Sequence, residues 1–306
     1  MNEKTNTNQT TKTIAIVIAG VLLASFMGTI GMMTTAQQSQ TAYAQFETER
    51  NKSVYQWQTN KCSTAASCDN MRDITNAIRA NSQSAPGDLL IMHLPFGGVL
   101  QQYQVDAMKE VTGLCGTCRG VQFRSLADFE ANVDEVAAAF PNGIIGYNLE
   151  NDASTADEFA TPVLSYGEAK DIADEHGLKL FASPAYSIAN SGQIDDIGLL
   201  AWWVHLQVQV IADQDTTCEF LSNKVANRVA YIEAAGSSQE GEISFQLSLT
   251  QPAVAGKTIQ QTVEDCIDMT IPGDVDGLAV WFSGSQIDNG LWQTVMTNYE
   301  EEYSDT

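Results

Sequence analysis

Short apolar stretches alternate with helix-periodic stretches eight times between residues 53 and 303, and this constrains the fold more than any other feature. Repeated strand–helix units are the pattern of a parallel sheet with helical crossovers. The spacing predicts strands at Ser53–Gln58, Asp88–Leu94, Gly120–Arg124, Gly143–Glu150, Leu178–Ser183, Val204–Ile211, Glu242–Thr250 and Gly277–Ser283, the first and third being the weakest. Between them, helices are expected at Ala66–Ala80, around Val105, Met108 and Val111, over Leu126–Phe140, at Pro162–His176, Ile194–Trp202, Cys218–Ala234 and Thr258–Met269, and finally at Asn289–Tyr303. The sharpest periodicity is Leu126, Phe129, Val133, Val136 and Phe140, with Ser125 and Asp128 placed to cap its start. Eight units predict a closed (β/α)8 TIM barrel rather than an open doubly wound sheet. No G-x-G-x-x-G follows an early strand, which argues against a dinucleotide site.

Side-chain parity then sorts each strand. One face must be apolar to meet the helices, and the other points into the barrel. In Glu242–Thr250, Ile243, Phe245, Leu247 and Leu249 face out, leaving Ser244, Gln246, Ser248 and Thr250 inside. The same rule puts His205, Gln207 and Gln209 inside from the sixth strand, and Gly146, Asn148 and Glu150 from the fourth. His93, Ser183 and Trp281 follow from the second, fifth and eighth. Glu150 ends a strong strand, at the C-terminal mouth where barrel enzymes place their chemistry. A carboxyl held among apolar and amide groups has a raised pKa, which suits a general acid. Asp152 and Asp213, just beyond strand ends, are the candidates to assist it. Asn148, Gln207, Gln209 and Gln246 would bind hydroxyl or acetamido groups, with His93 and Ser183 beside them and Trp281 as a stacking floor. Trp202, Trp203, Tyr186 and Trp292 are expected in the core or between helices.

The fourth strand, Gly143-Ile-Ile-Gly-Tyr-Asn-Leu-Glu150, resembles the Asp-x-x-Asp-x-Asp-x-Glu run that ends strand four of the chitinase-like glycoside hydrolases. The resemblance implies that Glu150 is the general acid, that Asn148 stands on the acid which positions the substrate acetamido group, and that Trp281 underlies the sugar. Gly143 and Gly146 replace the other two acids, and Leu249-Thr250-Gln251 offers no nucleophile at the end of strand seven. The expected function is therefore an extracellular glycoside hydrolase acting on a polysaccharide. The alternative is a barrel that binds carbohydrate or envelope polymer without cleaving it, and a purely structural envelope role is also open.

Residues 14–33 carry no charge and are long enough to span a bilayer, with Lys4 and Lys12 on the inner side. Ala42-Tyr43-Ala44 has the form of a cleavage site, so residues 1–44 read as a signal peptide or as an anchor with a stalk, and residues 45–306 as the barrel domain outside the cytoplasm. The leader and the acidic, glutamine-rich character also resemble secreted proteins of ammonia-oxidising archaea. A net charge of -23 repels nucleic acid and anionic lipid, so a nucleic-acid partner is not expected. Asn51-Lys52-Ser53 is a glycosylation sequon. Six cysteines fall as Cys62/Cys68, Cys115/Cys118 and Cys218/Cys266, an even count that favours disulfides, with redox chemistry at Cys115-Gly-Thr-Cys118 the lesser alternative. The three histidines are scattered, and neither a metal nor a cofactor is expected.

Overall fold

The structure is a computed structural model, and it describes residues 52–80, 87–207, 242–250, 253–270 and 276–303. All belong to one unit, Arg50–Thr306. Eight parallel strands close into a barrel in the order β1 to β8. They are β1 Lys52–Gln58, β2 Leu89–His93, β3 Arg119–Phe123, β4 Ile144–Tyr147, β5 Lys179–Ala182, β6 Trp203–Gln207, β7 Glu242–Ser248 and β8 Gly277–Trp281. The seam is closed by β1 against β8, with Lys52 opposite Gly277. The first and third strands, weakest in the sequence, are full members of the ladder.

Among the described residues the principal outer helices are α1 Ala65–Ala80, α2 Gln102–Lys109, α3 Leu126–Ala139, α4 Pro162–Glu175, α5 Gln193–Leu200, α6 Ile259–Thr270 and α7 Leu291–Tyr303. Their starts and stops follow local chemistry. Ser125 caps α3, its Oγ accepting from the Asp128 amide at 3.1 Å. Pro162 opens α4, where its missing N–H costs nothing, and Gly177, at φ +67°, ends the turn after it. The helix expected at Ile194–Trp202 is shifted to Gln193–Leu200, because Trp203 joins the sheet. The helix expected at Cys218–Ala234 and the end of the sixth strand lie outside the described residues, as does the leader at residues 1–44. No helix among the described residues is long and apolar enough to cross a membrane.

Two apolar clusters hold the fold. The larger joins the outward faces of the strands to the helices, with Trp57, Met92, Phe123, Tyr147, Phe245 and Val280 from the sheet against Met71, Phe129, Tyr166 and Trp292. The smaller lies inside the barrel and consists of Val54, Leu89, Ile91, Cys118, Ile144, Phe181, Trp203 and Ala279. Parity therefore holds as the sequence requires, with alternate residues meeting helices and interior. Gly120 belongs to the interior set, and a Cβ there would drive into the carbonyl oxygen of Ile144 on the neighbouring strand. Trp292 is buried between helices and Trp203 inside the barrel. Tyr186 corrects the expectation of a core residue, being 42% exposed at the start of a short helix after β5.

Disulfides join Cys62 to Cys68 and Cys115 to Cys118, and Cys266 is also disulfide-bonded. The expected partner Cys218 lies outside the described residues. Such bonds persist in oxidising compartments. The Cys115–Cys118 loop sits at the N-terminal end of β3 and packs on the interior floor cluster.

Candidate active site

The interior side chains change character with height. The apolar floor cluster fills the lower barrel. A buried polar layer rests on it. Trp203 Nε1 donates to Ser244 Oγ at 2.6 Å, His205 Nδ1 lies 2.8 Å from the same oxygen, and Gln56 Nε2 lies 3.0 Å from His205 Nε2. Burial pushes His205 down to about 4, so its imidazole is neutral and serves as a hydrogen-bonding strut. Its ring also tilts on Phe181, with centroids 5.2 Å apart.

Above this layer the barrel opens into a cavity of about 300 Å3 at the C-terminal mouth. Its walls are Gln56 from β1, His93 from β2, Gln122 and Arg124 from β3 and just beyond it, Asn148 and Glu150 beyond β4, Gln207 from β6, Gln246 from β7 and Trp281 from β8. Six strands, and the segment that leaves β4, thus send polar groups or an indole to one opening. Gly146, inward on β4, makes room for one of them: a Cβ there would lie 2.9 Å from Cβ of Gln122.

Glu150 is the cavity's single carboxyl among the described residues. Burial pushes its pKa above the ordinary glutamate value, while the Arg124 charge and the Gln207 and Asn148 amides pull it partly back. Gln207 Nε2 donates to Asn148 Oδ1 at 2.5 Å and to Ser183 Oγ at 2.8 Å. With its amide turned the other way, Asn148 donates to Glu150 Oε1 at 3.2 Å and to the Ser183 carbonyl at 2.9 Å. Asn148 thus stands between Glu150, Gln207 and Ser183 in one amide cluster.

His93 lines the same cavity from two strands away. Burial first, then the Arg124 charge, holds it down to about 4, so it is neutral at physiological pH. Its ring lies against Trp281, centroids 5.7 Å apart, and makes no hydrogen bond among the described residues. Arg124 rests its guanidinium over the Phe96 ring at 4.6 Å. The Oε1 atoms of Gln56 and Gln122 and the Nε of Arg124 are buried without a hydrogen-bond partner among the described residues. Buried polar groups are paired almost without exception, so three orphans around one cavity mark a place for a polar ligand or ordered water.

The structure brings together His93, Asn148, Glu150, Gln207, Gln246 and Trp281, all read from strand parity. Ser183 lies one step behind, fully buried and bonded to Gln207. Asp152 does not line the cavity. Its carboxylate caps the turn that follows, accepting from Ser154 N at 2.9 Å and Ser154 Oγ at 2.8 Å, which holds its pKa below the usual range. Asp213 and Gln209 lie outside the described residues. Sequence reasoning misses Gln56, Gln122 and Arg124. All three share the period-two parity of the residues it finds, in Gln56-Trp57-Gln58 and Val121-Gln122-Phe123-Arg124.

Neither a protein-family model nor a curated protein matches the sequence. Solved structures of similar fold include a D-allulose 3-epimerase from Methylomonas sp., at 12% identity and TM-score 0.43, over 82% of this chain and 95% of that one. Others are a sugar phosphate isomerase/epimerase from Parabacteroides distasonis, at 10% identity and TM-score 0.46 over 85% and 97%, and the phosphotriesterase homology protein from Escherichia coli, at 12% and 0.36 over 79% and 80%. The first two carry the names of a sugar epimerase and a sugar phosphate isomerase/epimerase, not of polysaccharide hydrolases. The expected glycoside hydrolase function is corrected at the mouth itself. A two-carboxylate glycosidase needs a second acid roughly 5–10 Å from the first, and no second carboxyl lines this cavity among the described residues.

Proposed function

We propose that the mouth binds one small polyhydroxy carbonyl compound of monosaccharide size and moves a proton between its carbons. Glu150 would be the acid–base group and His93 the neutral donor to the carbonyl oxygen. The observation that supports this is the composition of the cavity: one carboxyl and one unpaired imidazole, within walls of amides. A cavity of about 300 Å3 is at the small end for ligand sites and suits a single sugar ring or open chain.

The chemistry follows from the groups. The Glu150 carboxylate removes a proton from the carbon next to the carbonyl. The charge moves onto the carbonyl oxygen, where the His93 N–H stabilises it; a neutral imidazole polarises that oxygen without first giving up its proton, a pattern known from triosephosphate isomerase. The protonated Glu150 returns the proton either to the same carbon, which is exchange alone, or to the former carbonyl carbon; in the second case the hydroxyl proton of the first carbon passes by way of His93 to the oxygen that held the charge, and the carbonyl moves by one position. The raised pKa brings this carboxyl closer to the working pH, which makes both halves of the transfer accessible. The disulfides, the uncharged stretch at residues 14–33 and the net charge of -23 support an extracellular or outer-face location, with that stretch as the membrane contact if uncleaved.

The test is exchange of carbon-bound hydrogen. A panel of aldoses and ketoses is incubated with the protein in D2O, and deuterium uptake next to the carbonyl is followed by proton NMR. Uptake on at least one member should fall by about 10²–10⁴ in Glu150→Gln, the usual worth of a positioned acid–base group. Uptake by the variant at the wild-type rate, or by no member with the wild type, refutes the reading.

A further inference from the structure

Resting on that reading of the mouth, we infer that its substrate is a sugar acid, whose carboxylate is clamped by Arg124 while its hydroxyls satisfy Gln56 and Gln122. The starting observation is an arginine without a partner in a chain of 38 acidic and 15 basic residues. The other described arginines are engaged. Arg72 bridges Asp69 and Glu110, Arg79 pairs with Asp88 inside the fold, and Arg119 donates to the carbonyls of Met108, Cys115 and Val111. Arg124 forms no ion pair and no hydrogen bond among the described residues, and its Nε is buried. A guanidinium is costly to hold partly desolvated without an anion, and the surface of this molecule offers carboxylates in plenty. Its position is fixed from one side only, by the Phe96 ring.

The remaining orphans complete the pattern. Gln56 Oε1 and Gln122 Oε1 are acceptors and call for O–H donors, whereas Arg124 Nε is a donor and calls for an acceptor. A neutral sugar supplies the hydroxyls but no charge for the guanidinium. A simple carboxylic acid supplies the charge but leaves the amides unpaired. A polyhydroxy carboxylate supplies both. Glu150 feels the Arg124 charge through space but forms no ion pair with it among the described residues, and its own contact is with Asn148. One planar fork fits a carboxylate, whereas a phosphate dianion would call for further donors of positive charge, and Arg124 is the only cation lining the cavity among the described residues.

The experiment is calorimetric titration of the full chain with matched pairs: hexuronates against the corresponding hexoses, and pentonates against the pentitols. The wild type should bind at least one acid about tenfold or more tightly than its neutral partner, the worth of a hydrogen bond to a charged group. Arg124→Gln should abolish that preference, and Arg124→Lys should restore part of it. A hexose 6-phosphate bound more tightly than the acid, equal binding of acid and neutral partner, binding of neither, or a preference surviving in Arg124→Gln would each overturn the inference. The deuterium-exchange assay separates the two readings. Exchange on a neutral sugar, unaffected by Arg124→Gln, sinks the acid while leaving proton transfer intact. Acid binding with no exchange sinks proton transfer while leaving the clamp intact.

Discussion

Asp276 stands at the seam where the barrel closes, and replacing it with asparagine should stabilise the protein at neutral pH. Its Oδ2 accepts from the Ile243 amide at 2.6 Å, its own amide donates to the Ile243 carbonyl at 2.8 Å, and its carbonyl accepts from Lys52 N at 2.8 Å. One residue thus ties β1, β7 and β8 together. Burial pushes its carboxyl from 3.8 up to about 6; Glu242 adds to this, and the Ile243 amide and Lys52 oppose it. The sign follows from linkage: the folded protein holds this proton more tightly than the unfolded chain. The stabilisation is full below 3.8 and is lost as pH rises towards 6. At about 1.36 kcal/mol per pH unit the loss approaches 3 kcal/mol, and the residue's partial contact with solvent trims it to about 2–3 kcal/mol. The side-chain amide in Asp276→Asn keeps an oxygen for the Ile243 amide and has no proton to lose. Urea unfolding of both proteins between pH 3.5 and 8 should therefore give similar stabilities at the acid end and a gap of about 2–3 kcal/mol above pH 7, equivalent to about 5–10 °C in Tm for a domain of this size. A gap that stays constant with pH, or a less stable variant at pH 7, refutes the reasoning.

Three further outcomes follow. Glu150→Gln should leave the fold intact and stabilise it above the ordinary glutamate pKa, because the raised carboxyl costs stability as it ionises; the difference between variant and wild type should vanish in acid, as read by thermal melts across pH. Cys115→Ser with Cys118→Ser should cost about 2 kcal/mol through the lost loop constraint and leave ligand binding unchanged, since that loop lies at the opposite end of the barrel from Glu150; a loss of binding would contradict this placement. Gly120→Ala should abolish soluble folded protein, judged by circular dichroism and gel filtration, because the added methyl meets the Ile144 carbonyl.

The barrel and most of its mouth are legible in the sequence for one reason. A strand buried on both faces writes its orientation as apolar–polar alternation whenever its interior side is polar. Ser244-Phe245-Gln246-Leu247-Ser248 and Gly146-Tyr147-Asn148-Leu149-Glu150 do so plainly, and both sort in the structure as parity requires. Gln122 is harder because Gly120-Val121-Gln122 carries a glycine where the barrel wall is tightest, which weakens the strand signal at the point where packing demands it. Arg124 falls at the very end of the expected third strand, just before the Ser125 cap, and its role depends on Phe96, which arrives from a different loop. Asp152 is overweighted in the sequence because a loop acid looks the same whether it faces a cavity or caps a turn. The likeness to chitinase-like hydrolases rests on one strand end and one tryptophan, positions at the mouth that a barrel can fill this way without carrying a second catalytic carboxyl.

The account depends most directly on the state of one side chain. Titration of the Glu150 carboxyl by carbon-13 NMR, assigned by its disappearance in Glu150→Gln, should give a midpoint above the ordinary glutamate value of about 4.3, and a higher one still in Arg124→Gln, where the nearby positive charge is gone. A midpoint at or below the ordinary value, unmoved by loss of Arg124, would mean that Glu150 is a solvated loop acid and that the mouth holds no proton-transfer group.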